Sequence, residues 1–176
     1  DAPKVEPGDL DLIHQPLDFL GINFYTRSFI STQTPPKPAP GKQGFTDMGW
    51  EIYPEALTQH LVRLSREYAP PPIFITENGM ANADKLVDGR VADVERIHYV
   101  NEHLKALARA VALGVDVRGY FYWSLLDNFE WNSGYTKRFG LFHVDYATQE
   151  RVAKDSALWY RDFIAAFKSR RTPKAG

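Results

Sequence analysis

The chain has no cysteine among its 176 residues. That absence excludes disulfides and thiolate-bound metals, and it suits a reducing compartment, so the cytoplasm is the expected location. Long apolar runs are missing too: none approaches the roughly 20 residues of a membrane span, and no membrane partner is expected. Charge of one sign is not in excess. A net charge of −1 supplies no field for nucleic acid or an anionic lipid surface. Basic residues cluster only at the end, as Lys168, Arg170, Arg171 and Lys174 beside Pro and Gly, and 168–176 reads as a frayed tail. No signal peptide opens the chain, and no methionine does. Residues 1–8 (Asp-Ala-Pro-Lys-Val-Glu-Pro-Gly) read as the middle of a loop, so a fragment of a longer protein is expected.

Several chemistries are also missing. No G-x-G-x-x-G or G-x-x-x-x-G-K-[ST] loop is present to cradle a phosphate, and no G-x-S-x-G elbow to present a serine nucleophile. The five histidines, His14, His60, His98, His103 and His143, are scattered without metal-ligand spacing. No metal or other cofactor is expected.

What the chain does have is aromatic rings, 14% of residues, with four Trp, nine Tyr and eleven Phe. They suit an aromatic-lined ligand site or a bulky core. Residues 18–26 (Asp-Phe-Leu-Gly-Ile-Asn-Phe-Tyr-Thr) form an apolar run suited to a strand buried on both faces. Alternation puts Leu20, Ile22 and Phe24 on one face, and Phe19, Gly21, Asn23 and Tyr25 on the other. A proline-rich loop follows. Residues 55–68 then repeat Leu57, Leu61, Leu64 and Tyr68 at helical spacing, stopped by Pro70 to Pro72. Ile73-Phe74-Ile75-Thr76 is a second strand, leading into Glu77-Asn78-Gly79. A long helix over 92–113 aligns Ile97, Val100, Leu104, Leu107 and Val111, with Gly114 as its capping glycine. Val117 to Leu126 is a third strand, 140–146 a short extended piece, and 155–167 a last helix that turns Tyr160, Phe163, Ile164 and Phe167 inward.

Strand and helix alternate, which implies an α/β fold with a parallel sheet and right-handed crossovers. A doubly wound sheet usually announces a nucleotide with a glycine-rich first turn, and none is present. A (β/α)8 barrel instead gathers functional groups at the C-terminal ends of its strands. Asn23 and Tyr25, Glu77 and Asn78, and Trp123 all fall at such ends. A carboxylate there is costly to bury unless paired or hydrogen-bonded, so Glu77 either ties the rim or does chemistry. A tyrosine hydroxyl donating to a carboxylate favours the ionised form that a nucleophile needs. The run Trp123-Ser-Leu-Leu-Asp127-Asn128-Phe-Glu130-Trp131 suits a sugar: indole faces stack on pyranose C–H groups, while carboxylate and amide groups grip hydroxyls.

Four runs occur in order: Asp-Phe-Leu-Gly-Ile-Asn-Phe-Tyr-Thr, Ile-Thr-Glu-Asn-Gly, Trp-Ser-Leu-Leu-Asp-Asn-Phe-Glu-Trp and Gly-Tyr-Thr-Lys-Arg-Phe-Gly-Leu. Together, over about residues 10–167, they resemble glycoside hydrolase family 1, the retaining β-glucosidases. The resemblance implies that Glu77 is the nucleophile, that Tyr25 hydrogen-bonds it and that Asn23 lies on the same strand. It implies that Glu130 binds the sugar hydroxyls at C4 and C6, that Trp131 bonds the one at C3, and that Trp123 is the platform under the ring. Phe139 would line the pocket and Trp50 its mouth, and the Trp123–Ser124 peptide would be cis.

By the same resemblance the three strands are strands six to eight of a (β/α)8 TIM barrel, with their helices. The family's acid/base glutamate lies in an Asn-Glu-Pro motif, which this chain lacks. A retaining enzyme needs two carboxyl groups about 5–5.5 Å apart, and three strands cannot close a barrel. The expected partner is therefore the N-terminal part of the same barrel, either as a second chain or as a preceding part of the same protein. The expected reaction is hydrolysis of a terminal β-D-glucosyl residue from a β-glucoside or cello-oligosaccharide. Two other readings stand beside it: a carbohydrate-binding fragment without turnover, and a 6-phospho-β-glycosidase. Lys137 matches the phosphate-binding lysine of the latter, whereas Glu130 stands where that group has Ser and Phe139 where it has Tyr, and the Glu130 carboxylate would repel a phosphate.

Overall fold

Three apolar runs pair side by side in a parallel sheet, β1 (Leu20–Asn23), β2 (Ile73–Asn78) and β3 (Val117–Tyr122), in the order β1-β2-β3. The computed structural model describes residues 4–34 and 38–171. Each strand is followed by a helix: α2 (Glu55–Tyr68) after β1, α3 (Val94–Ala112) after β2 and α4 (Asp155–Arg171) after β3. A short helix, α1 (Asp9–Ile13), precedes the sheet where none is expected from the sequence. A hairpin of β4 (Phe142–Val144) and β5 (Arg151–Ala153) separates β3 from α4. The extended piece expected over 140–146 is β4; its partner β5, only three residues long, has no signature of its own.

One face of the sheet carries the core. Ile22, Phe24, Ile73 and Ile75 pack on Leu57 and Leu61 of α2 and on Ala106 and Ala110 of α3. Leu57, Leu61 and Ile75 are fully buried, each stabilising the fold by roughly 1.5–3 kcal/mol. The other face is open, with Phe19 52% and Phe121 56% exposed. The expectation of a first strand buried on both faces therefore holds on one side only, and the strand itself spans four residues rather than nine.

The helices follow the apolar pattern unevenly. α2 has the expected bounds, and Gly114 caps α3 at φ 92°. The buried face of α3, however, is Arg96, Tyr99, Val100, His103, Ala106 and Ala110, while Val111 is 48% exposed. The inward face is turned away from the purely aliphatic stripe because its polar members have found partners. α4 continues to Arg171 and so takes in the first part of the basic tail. Lys174 lies outside the described residues. Tyr160 lies 6.4 Å from the ring centres of both Tyr120, edge-on, and Tyr122, tilted, whereas Phe167, expected to face inward, is half exposed.

Candidate active site

A bulge in β2 aims Glu77. Ile22 pairs with Ile75 but Asn23 with Glu77, so Thr76 is an extra residue against β1. On the other side Ile75 pairs with Tyr120 and Asn78 with Tyr122, three steps against two. A bulge of this kind re-aims a side chain. Phe74 meets Phe19 on the open face, with ring centres 5.3 Å apart. Strict alternation from Phe74 would therefore turn Glu77 towards the helices. Instead Thr76 and Glu77 both reach groups of the open face. Thr76 Oγ1 donates to Asn23 Oδ1 at 2.7 Å, and Tyr25 OH donates to Glu77 Oε2 at 2.6 Å. Tyr25 and Glu77 are thus brought together as the sequence implies, while Asn23, on the same face, is bonded to Thr76.

Asn78 swings back to the helix face and is fully buried. Its Nδ2 donates to the Phe24 carbonyl at 2.8 Å and to Tyr99 OH at 3.2 Å, and its Oδ1 accepts from Tyr120 OH at 2.7 Å. Tyr99 OH in turn donates to the Tyr25 carbonyl at 2.9 Å. This network fixes the backbone that carries Tyr25, and no motif in the sequence announces it. The one signal for it was an asparagine inside a buried run, which must find partners. Gly79 completes the turn, because a methyl group there would overlap the Trp123 carbonyl oxygen.

Trp123 follows β3, its amide donating to the Asn78 carbonyl at 3.0 Å, and the Trp123–Ser124 peptide is cis. Burial, and then the negative charge of Glu77, push the Glu130 carboxyl up, and the nearby Trp123 side chain opposes them. Burial and the bond to Glu77 raise Tyr25, which stays a donor across the ordinary pH range. Trp50, Tyr25 and Phe139 form a triangle of rings with centres 5.4–6.1 Å apart. Trp131 begins a 3-10 turn (Trp131–Ser133) at φ 39° and is 81% exposed.

Two residues of the aromatic loop have other work. Asp127 is buried and accepts from Arg138, Lys154 and the Gly140 amide. Asn128 donates to Ser124 Oγ and the Leu126 carbonyl, both at 3.0 Å. Neither is positioned to grip a sugar as the sequence pattern suggested. Lys137 is held by Asp47, at 2.6 Å from its carbonyl and 3.0 Å from its carboxylate. Among the described residues no group of His, Asp and Glu could hold a metal ion, and no helix is long and apolar enough to cross a membrane.

The open-faced sheet, with its functional groups at the C-terminal strand ends, is part of a (β/α)8 barrel. A structure of the AHE enzyme from Alicyclobacillus herbarius superposes with a TM-score of 0.87 at 48% identity, over 93% of this chain and 38% of that one. The GH1 beta-glucosidase from Exiguobacterium antarcticum B7 superposes with a TM-score of 0.85 at 47% identity, over 94% and 38%. The family model described as Glycosyl hydrolase family 1 matches residues 1–169, and the chain belongs to that family. The bifunctional beta-D-glucosidase/beta-D-fucosidase of Bifidobacterium breve is 49% identical over 93% of this chain and 40% of its own length. The chain therefore spans about two fifths of the length of the relatives it matches.

Proposed function

We propose that this chain supplies the nucleophile half of a retaining β-glucosidase, and that a partner carrying the rest of the barrel supplies the other half. The observation that carries this reading is the 2.6 Å bond from Tyr25 OH to Glu77 Oε2, at the end of a strand whose bulge turns Glu77 to the open face that Tyr25 already shares. Glu77 attacks the anomeric carbon of a terminal β-D-glucosyl unit, through an oxocarbenium-like transition state, and forms a glycosyl–enzyme ester. A second carboxylic acid, about 5–5.5 Å away in a retaining enzyme, protonates the leaving oxygen and then activates the water that releases glucose. That acid comes from the partner. The sugar ring stacks on Trp123, Glu130 and Trp131 take its hydroxyls, Phe139 lines the same pocket, and Trp50 stands at its mouth towards the leaving group. Substrates are β-glucosides or cello-oligosaccharides. The sheet supports the need for a partner: β1 and β3 are its two edges, and Phe19 and Phe121 lie uncovered between them. A 6-phospho sugar fits poorly, because Lys137 is engaged by Asp47 and Glu130 would face the phosphate.

Labelling by a 2-deoxy-2-fluoro β-glucoside tests the assignment. The chain completed with the remaining barrel should gain one glycosyl group on the peptide containing Glu77, and Glu77→Gln should gain none. A label elsewhere, or no label, would overturn the nucleophile role and leave a sugar-binding fragment. Normal turnover by the chain alone would refute the divided site.

A further inference from the structure

Behind the aromatic loop lies a cluster of buried charge that the proposed chemistry does not use. Asp84, Asp93 and Asp127 face Arg96, Arg138 and Lys154, so the formal charges cancel. The side chains of Asp84, Asp93, Arg96, Asp127 and Lys154 are fully shielded from solvent. Desolvating ions costs more than their attraction usually returns, so such a cluster is weak evidence for stability by itself. Its placement is more informative. Residues 128–138, which carry Glu130 and Trp131, leave and rejoin the fold through a narrow neck. Asp127 closes that neck by accepting from Arg138 Nη1 at 2.6 Å and from the Gly140 amide at 2.9 Å. A Cβ on residue 140 would overlap the Asp127 backbone, which explains a glycine there.

The neck is tied to two helices. Lys154, at the start of α4, bridges Asp127 at 2.8 Å and Asp84 at 2.6 Å. Arg96 of α3 donates to Asp84 at 2.7 Å and to the Arg138 carbonyl at 2.9 Å, and also pairs with Asp93. Asp93 accepts from the Ser156 amide at 2.9 Å. The Lys154 amide donates to the Leu141 carbonyl at 3.0 Å.

We propose that Lys154 and Asp84 are positioning residues: through Asp127 and Arg96 they set the neck of the 128–138 loop, and so the place where Glu130 and Trp131 meet the sugar. This rests on the sugar-binding role given to that loop above. Neither residue touches substrate. Lys154→Met removes the bridging cation at similar length, and Asp84→Asn removes its partner should the first variant fail to fold. Two readouts separate positioning from bulk stability. Hydrogen exchange on the chain should show faster exchange at Gly140 and Leu141 in the variant, with β1 and β2 unchanged. In the enzyme completed by the remaining barrel, kcat/KM should fall on the order of 10²-fold, as for a small misplacement of a binding group. The fall should be carried by KM, because the lost contacts serve ground and transition states alike. The fraction labelled at Glu77 should not change.

An unchanged KM with a lower kcat and a lower labelled fraction would reduce the cluster to bulk stability and overturn the proposal. So would unchanged exchange at the neck. If the unmutated completed enzyme neither turns over nor labels, the functional reading has failed instead, and the exchange result alone decides whether Lys154 holds the loop.

Discussion

His103 gives a test that needs only the fold. It is fully buried on α3, its ring centre 4.0 Å from that of Tyr99 and 6.1 Å from that of Phe24. Nδ1 lies 2.8 Å from the Tyr99 carbonyl oxygen, which can only accept, so Nδ1 carries the proton of a neutral imidazole. Nε2 is buried without a partner, and protonating it would place a bare charge in the core. Burial accordingly lowers the group from 6.5 to about 4, against the smaller opposing effects of the Tyr99 carbonyl and Glu102. Unfolded, His103 takes its proton near pH 6.5; folded, it waits until about pH 4. Between those values the unfolded state binds more protons, so stability rises with pH across the window. The contribution is complete above about pH 6.5 and drains away as pH falls towards 4. A depression of this size corresponds to about 3 kcal/mol. Unfolding free energies from urea titrations between pH 8 and pH 4 should therefore fall by that much more in the unmutated chain than in His103→Leu. Carboxylates titrating at the lower end act on both chains and cancel in the difference. Parallel curves would show that His103 is not held neutral and would refute the account of its burial.

Two further outcomes follow from the strand ends. Asn78→Ala removes three buried neutral hydrogen bonds, each worth about 0.5–1.5 kcal/mol net, so a loss of about 2–4 kcal/mol is expected in urea unfolding. A change under about 0.5 kcal/mol, the scale of an ordinary surface substitution, would show that the network is idle. Glu77→Gln removes the negative charge that helps to raise Glu130, so the Glu130 carboxyl should titrate at lower pH when followed by carbon-detected NMR. An unchanged titration would mean that the two carboxylates do not share a site.

Some of this could be read from the residues and some could not, for physical reasons. The parallel order and α2 follow from apolar period, and the pairing of Tyr25 with Glu77 follows from the resemblance to the family. The bulge does not, because alternation assumes an uninterrupted strand and Thr76 carries no mark of being the extra residue. The aliphatic stripe of α3 does not announce Arg96 and His103 as buried, because their polarity argues for solvent until partners are known. Those partners are a backbone carbonyl one turn away for His103 and, for Arg96, Asp84 twelve residues upstream in a loop. Asp127 misled for the same reason. An acid among aromatics resembles a sugar ligand locally, and only Lys154, 27 residues on, shows that it is an anchor. Charge pairs across such distances have no spacing by which to recognise them.

The sheet also divides the labour of the site between its faces. Glu77, Tyr25 and Thr76 stand on the open face, while Asn78 and Tyr99, which hold the Phe24 and Tyr25 carbonyls, are fully buried on the helix face, where the partly buried Tyr120 donates to Asn78. The strand end is aimed from behind, by bonds that lie wholly within this chain. If Glu77 is the nucleophile as proposed, the bonds that set it are already made within this chain. The rest of the barrel would then add an acid, cover the open face and exclude water, so that the Tyr25–Glu77 bond acts in a drier and electrostatically stronger setting. Under that proposal the two parts contribute different things: this chain holds geometry already set, and the remainder of the barrel brings the proton and the walls.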